Sequence, residues 1–235
     1  IDLATTATPD IVQARAKAAG LRTIPTGVEH GTVTVIVNGK PFEVTTLRQD
    51  IDTFGRHATV AFGRDFAADA QRRDFTINAL SLDSHGRVHD YCDGLADIKA
   101  RRVRFIGNAR QRIREDYLRI LRLFRFHASY GEGPMDASAL LAAISERHGL
   151  DILSRERVRA ELLKLLAATG AASVMAVMSD TGILQMLLAG IGNPARLAKL
   201  TDMEAARGLT GDAMLRLAAL AVQTREDAER LRDRL

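Results

Sequence analysis

The sequence predicts an α+β protein: a strand-bearing head over residues 1–107, then helices to residue 235. Three observations carry this. Residues 32–48, TVTVIVNGKPFEVTTLR, hold two β-branched runs on either side of Asn38-Gly39, a dipeptide suited to the positive φ angles of a two-residue hairpin turn. Between residues 74 and 106, FTINALSL, RVHDY and RRVRFIG read as further short strands. From Asn108 onward, apolar residues recur at helical spacing and glycines and prolines punctuate them.

Taken in order, Pro9 to Ala19 reads as a short helix, with Thr8 as N-cap, Pro9 at the first helical position and Gly20 as stop. The hairpin follows. Residues 49–73 are charged and without clean period, and are expected to form a long loop or mobile segment. Turns are expected at Ser84-His85-Gly86 and Cys92-Asp93-Gly94. Gln111 to Tyr130 carries Ile113, Tyr117, Ile120, Leu121 and Phe124 on one stripe and reads as a single helix, ended by Gly131, Gly133 and Pro134. Val158, Leu162, Leu165 and Leu166 mark a later helix, and Gly170, Gly182, Gly192, Pro194 and Gly211 divide those that follow.

Composition narrows the function. With 235 residues and 46% hydrophobic content, the chain can bury a core, and no run approaches the roughly 18 apolar residues of a membrane span. A soluble, cytoplasmic protein is expected. The single cysteine, Cys92, excludes an internal disulfide and a zinc site of several thiolates. Lys and Arg exceed Asp and Glu by 33 to 29, a mild basic balance that permits a nucleic-acid partner. With eight Phe, three Tyr and no Trp, such a partner is expected to be held by charge and shape more than by base stacking.

Four stretches carry the chemistry: Ile1-Asp2-Leu3-Ala4-Thr5, Glu43 in FEVTTL, Arg72-Arg73-Asp74-Phe75-Thr76-Ile77-Asn78-Ala79, and Glu115-Asp116-Tyr117-Leu118-Arg119. With GVEHGTV at 27–33 and LSRERVRAELLKLL at 153–166, they resemble, in this order, the class II tRNA nucleotidyltransferases (CCA-adding enzymes) and the bacterial poly(A) polymerases. Both belong to the polymerase-beta-like nucleotidyltransferase superfamily. The resemblance runs from Ile1 to about Leu166. It implies a nucleotidyltransferase head at 1–107, a helical neck that selects the base at 108–170, and the start of a helical, tRNA-binding body at 171–235.

The family's metal motif is Asp-x-Asp, whose spacing puts two carboxylates on one face of a strand. By resemblance Asp2 is the second of that pair and Glu43 a third carboxylate, both holding Mg²⁺ and serving catalysis. The first carboxylate and the family's glycine-rich triphosphate segment would precede Ile1, so the chain as written is expected to be feeble or inactive. Read without the family, Asp2 is a turn former and Glu43 a solvated strand position. A further departure is Tyr91-Cys92-Asp93-Gly94, where the family commonly has a Gly-Gly pair.

By the same resemblance Arg73 reaches the triphosphate, where a planar guanidinium can hold two oxygens, and Asp74 and Asn78 orient the loop. Asp116 and Arg119 read the incoming base, and Arg122 and Arg125 extend the nucleotide-binding surface. Three residues apart on a helix, Asp116 and Arg119 would present an acceptor beside a donor. Cytosine and adenine each show an exocyclic amine next to an unprotonated ring nitrogen, whereas uracil and guanine show a carbonyl next to a protonated one. Such a pair therefore fits C and A and leaves groups unpaired against U and G. The plain alternative is an exposed ion pair worth roughly 0.3 kcal/mol, with Arg122 and Arg125 in water. Ser154 as N-cap, followed by Arg157 and Glu161, reads as an ordinary helix start.

The implied activity is template-independent addition of C and A to the 3′ end of tRNA from CTP and ATP with Mg²⁺, without DNA or membrane as partner. Within the family the rivals are a poly(A) polymerase or an enzyme adding only part of CCA; outside it, a noncatalytic RNA-binding remnant.

Overall fold

The structure, a computed structural model, describes residues 2–25, 27–54 and 57–235, and for residues 29, 49–54 and 57–61 the backbone alone. The chain is α+β, as expected. It divides by contact into two compact units, Ile1–Arg73 with Ala79–Cys92, and Asp74–Asn78 with Asp93–Leu235. These boundaries differ from 107 and 170: residues 93–107 pack with the helices.

The first unit is built on a four-stranded sheet, β1 (Asp2–Thr5), β2 (Arg22–Ile24), β3 (Thr32–Val37) and β4 (Lys40–Thr46), in the order β1-β4-β3-β2. The hairpin between β3 and β4 turns at Asn38 and Gly39, with φ of 50° and 75°. Helix α1 (Pro9–Ala18) has Pro9 in its first turn and covers one face, packing Val12 and Ala16 on Val33 and Val35. Thr8 occupies the N-cap position, but its side chain makes no cap hydrogen bond to the helix backbone.

Residues 49–73 are not a structureless loop. Strands β5 (Arg48–Phe54) and β6 (His57–Phe62) pair antiparallel, and α2 (Phe66–Gln71) follows, capped by the Asp65 carboxylate accepting from Ala67 N–H. The charged and polar residues of β5, RQDIDTF, interrupt the period-2 hydrophobic signal by which such a ribbon is read. Residues 55 and 56 lie outside the described residues. Strands β7 (Ser81–Leu82) and β8 (Val88–His89) form a minimal hairpin around the expected turn.

The strand readings of FTINALSL and RRVRFIG are largely overturned. Thr76–Asn78 is a 3₁₀ turn, and Phe75 meets Phe105 through an isolated bridge. Helix α3 (Gly94–Lys99) begins where only a turn was expected, with Asp93 at φ 59°. Its side chain Asp97 is buried and takes the Thr76 hydroxyl and the guanidinium groups of Arg102 and Arg104, which bind the 3₁₀ turn and the chain after α3 to one acid.

The second unit continues with α4 (Ala109–Glu115), α5 (Leu118–Tyr130), α6 (Ala137–Ser145), α7 (Arg155–Ala167), α8 (Ala171–Asp180), α9 (Ile183–Leu188), α10 (Pro194–Ala206), α11 (Ala213–Ala221) and α12 (Arg225–Arg234). One core runs from Phe75 and Phe105 through Ile120, Leu121 and Phe124 of α5, Leu162, Leu165 and Leu166 of α7, and Met175 and Met178 of α8. Among the described residues no helix is long and apolar enough to cross a membrane.

Candidate functional site

Asp2 and Glu43 are direct neighbours. β1 runs parallel to β4 in the register that sets Asp2 against Glu43, and Thr34 of β3 faces Glu43 from the other side. Val33, Val35 and Val44 alternate with these positions and point to α1, so Glu43 and Thr34 lie on the opposite face, with Asp2 beside them. Both acids are exposed. Two adjacent carboxylates are hard oxygen donors of the kind that hold Mg²⁺, which completes its shell with water and phosphate oxygens. The pair therefore fits that ion. Among the described residues no group of three or more His, Cys, Asp or Glu gathers as a fuller metal cage.

Arg73 is in the same unit. It lies 3.0 Å from Asp69 Oδ2, while Arg72 takes the other oxygen at 2.6 Å and also donates to Arg48 O. Asp69 is buried; burial pushes its carboxyl up, but the two guanidiniums outweigh this and hold it below the ordinary range. Of the two arginines, Arg73 is the more open, with its side chain 40% exposed against 16%. One edge is fixed by Asp69, and the group still reaches solvent.

The remaining candidates lie in the second unit, and here the expected geometry needs correction. The helix from Gln111 to Tyr130 is broken. α4 ends at Glu115, and Asp116 takes an extended backbone, φ −154° and ψ 108°. Its Oδ1 accepts from Leu118 N–H at 3.1 Å, and its carbonyl accepts from Arg119 N–H, so Asp116 starts the next helix. Asp116 and Arg119 are thus neither an i,i+3 pair on one helix nor an ion pair with each other. Asp116 Oδ2 is held by Arg157 Nη2 at 2.7 Å. Arg119 Nη1 donates to Glu115 Oε2 at 2.5 Å and to Arg112 O at 2.9 Å.

Arg122 and Arg125 are not in water. Arg122 Nε donates to Asp74 Oδ2 at 2.5 Å, and Arg125 Nε to Glu161 Oε2 at 2.6 Å. Both guanidiniums lie over the ring of Phe126, at 5.3 and 4.6 Å from its centroid. Asp74 also accepts from Phe75 N–H and Asn78 Nδ2, which fixes the turn it begins. Burial raises its carboxyl, and Arg122 and Asn78 more than reverse that, holding it below the ordinary range.

Arg157 and Glu161 were read as an ordinary helix start, and that reading is corrected: each grips a candidate site residue. Ser154 holds the N-cap position without a side-chain cap bond. Their spacing of four residues on α7 was visible, but their partners lie 41 and 36 residues away, which no local pattern encodes.

Adjacent strand carboxylates, followed by an all-helical part, define an α+β protein of the polymerase-beta-like nucleotidyltransferase class. Residues 1–104 match the family described as the poly A polymerase head domain, and residues 137–192 that described as a probable RNA and SrmB-binding site of polymerase A. The mitochondrial CCA tRNA nucleotidyltransferase 1 of Mus musculus is 45% identical over 186 residues, 78% of this chain and 43% of its own. The CCA-adding enzyme of Levilactobacillus brevis is 40% identical over 187 residues, 79% of this chain and 46% of its own. The crystal structure of the Bacillus stearothermophilus CCA-adding enzyme in complex with CTP superposes with a TM-score of 0.69 at 35% identity, covering 77% of this chain and 43% of that one. The chain belongs to the family of tRNA nucleotidyltransferases and poly(A) polymerases. It spans less than half the length of these relatives.

Proposed function

We propose that the chain supplies the head and the adjoining helices of a template-independent nucleotidyltransferase that adds C and A to the 3′ end of tRNA from CTP and ATP. The observation that carries this is the pair Asp116 and Arg119 at the start of α5, an acceptor and a donor each held by its own counter-charge. Two chemistries are divided between the two units. In the first, Asp2 and Glu43 would hold Mg²⁺, which when bound supplies activation of the attacking 3′-hydroxyl and neutralisation of the leaving pyrophosphate. Arg73, held by Asp69 and with its side chain 40% exposed, binds phosphate oxygens.

In the second unit Asp116 accepts the exocyclic amine of C or A and Arg119 donates to the ring nitrogen beside it. Uracil and guanine meet acceptor with acceptor and donor with donor, an arrangement that hydrogen-bonding sites reject by about 10⁴ to 10⁵ when the groups are desolvated. Arg122 and Arg125 contribute to this surface through the exposed parts of their guanidiniums. RNA rather than DNA is the polymer substrate, and a cytoplasmic setting is the reading composition favours.

A poly(A) polymerase is the second reading, because adenine alone satisfies the same acceptor and donor and residues 1–104 match a poly A polymerase head. The test is a four-nucleotide extension assay with the full-length protein, Mg²⁺ and tRNA lacking its CCA end. Addition of two C and then A is expected. Long A tracts without C would favour the second reading, and equal use of U and G would overturn both.

A further inference from the structure

We infer that Arg157 is a positioning residue for base selection: it fixes the plane of the Asp116 carboxylate, as Glu115 fixes the Arg119 guanidinium. The inference rests on the base-reading role proposed above for Asp116 and Arg119. Because Asp116 lies in the extended break between α4 and α5, helical geometry does not aim its side chain. Two N–H donors do so instead, Leu118 N on Oδ1 and Arg157 Nη2 on Oδ2. A carboxylate has about four acceptor directions, so one bond at each oxygen orients the group and leaves capacity for a ligand amine.

Arg119 is arranged in the complementary way. Its Nη1 is shared by Arg112 O and Glu115 Oε2, and Glu115 Oε2 also takes Arg112 Nη1 at 2.9 Å. Among the described residues its Nε and Nη2 have no hydrogen-bond partner, so the rest of the fork is free to donate. The Asp116 and Arg157 side chains are 22% and 21% exposed, which is open enough to meet a ligand and covered enough for a misplaced charge to matter.

Fixed orientation is what makes hydrogen bonding selective. An unheld Asp116 could swing onto Arg119 or rotate away from a wrong base, and the penalty for U and G would then be escaped. Arg157 therefore takes one acceptor of Asp116 Oδ2, and it does so from a separate helix, α7.

The experiment compares Arg157→Gln and Arg157→Lys with wild type in the full-length protein. Single-turnover addition of each of the four nucleotides to tRNA lacking CCA is measured beside thermal unfolding. Arg157→Gln is expected to lower the kcat/KM ratio of C and A over U and G by about tenfold or more at a near-unchanged Tm. Arg157→Lys, which keeps the charge but loses the planar fork, is expected to fall between. A folded Arg157→Gln protein that selects as wild type does, or that slows all four nucleotides by one factor, overturns the inference while leaving the base-reading proposal intact. Should Arg157→Gln not fold, a wild-type ratio in Arg157→Lys overturns it equally. A wild-type protein without preference for C and A removes both.

Discussion

Asp116 accepts on each oxygen, and the neutral isostere separates this structural duty from the proposed base-reading one. In Asp116→Asn the single carbonyl oxygen can serve Leu118 N–H or Arg157 but not both, and an NH₂ donor takes the vacated position. The amide still supports the first turn of α5, so folding stability should drop by only about 1 kcal/mol. Base choice should change far more: a donor now stands where an acceptor was, and U and G incorporation should rise relative to C and A in the four-nucleotide assay. Unchanged preference beside a lowered Tm would assign Asp116 to structure alone. Arg119→Lys should also weaken selection, because one ammonium cannot hold Glu115 and Arg112 O and still offer a second, coplanar donor; an unaltered ratio in that variant counts against the role of the fork. At this scale the sequence showed which residue types could read a base edge. It did not show their partners, because Arg157, Glu161 and Asp74 reach Asp116, Arg125 and Arg122 across 41, 36 and 48 residues of chain.

An element's boundaries matter to the site as much as its residues. The apolar stripe from Ile113 to Phe124 is continuous, and such a pattern shows no break when the break residue is polar and its neighbours stay in phase. The break is seen only in the packing. Tyr117 sits between Asp116 and Leu118, and a Cβ built on Gly149 would come within 1.9 Å of its ring. Gly149→Ala should therefore push Tyr117 aside, cost about 1–3 kcal/mol as overpacking, and loosen base selection through Asp116. Gly39→Ala provides the contrast. Gly39 has φ 75° and open space around its Cβ position, so only backbone strain is added, about 1 kcal/mol, and selection should not change. Urea unfolding and nucleotide ratios on the two variants check both statements; a Gly149→Ala protein with wild-type selection would detach Tyr117 from the site. The Asn38-Gly39 hairpin was legible because its turn chemistry is local, whereas the ribbon of β5 and β6 was not, since the polar and charged residues of RQDIDTF leave its first strand without an alternating pattern.

At the scale of the molecule, the α+β class and the order of head before helices were legible, because periodicity changes from two toward 3.6 along the chain. The contact boundary at Asp93 was not, since it depends on Asp97 gathering Thr76, Arg102 and Arg104 after the chain has folded back. Asp97, Asp74 and Asp69 follow one plan, a buried acid holding arginine, and this makes stability depend on pH. In each, burial raises the carboxyl and its partners, arginine prominent among them, more than reverse this, so the folded value lies below the ordinary 3.8. A depressed acid contributes stability that is present above its unfolded value and is lost as pH falls through the folded one. Decline is thus expected below about pH 4. His127 acts earlier: burial pushes it down although the ring donates a hydrogen bond to the Gly133 backbone, so its contribution is lost as pH falls below the ordinary value of 6.5. His127 is common to wild type and the Asp74 variant, so the difference between the two isolates Asp74. Asp74→Asn should be less stable than wild type at pH 7, where Arg122 has lost its partner, yet fall less steeply below pH 4, so that the two urea midpoints converge in acid. Far-UV circular dichroism follows the helices of the second unit, where Asp74 resides. Parallel curves for the two proteins would mean that Asp74 is not depressed, and that its bond to Arg122 does not contribute to the fold in the way described.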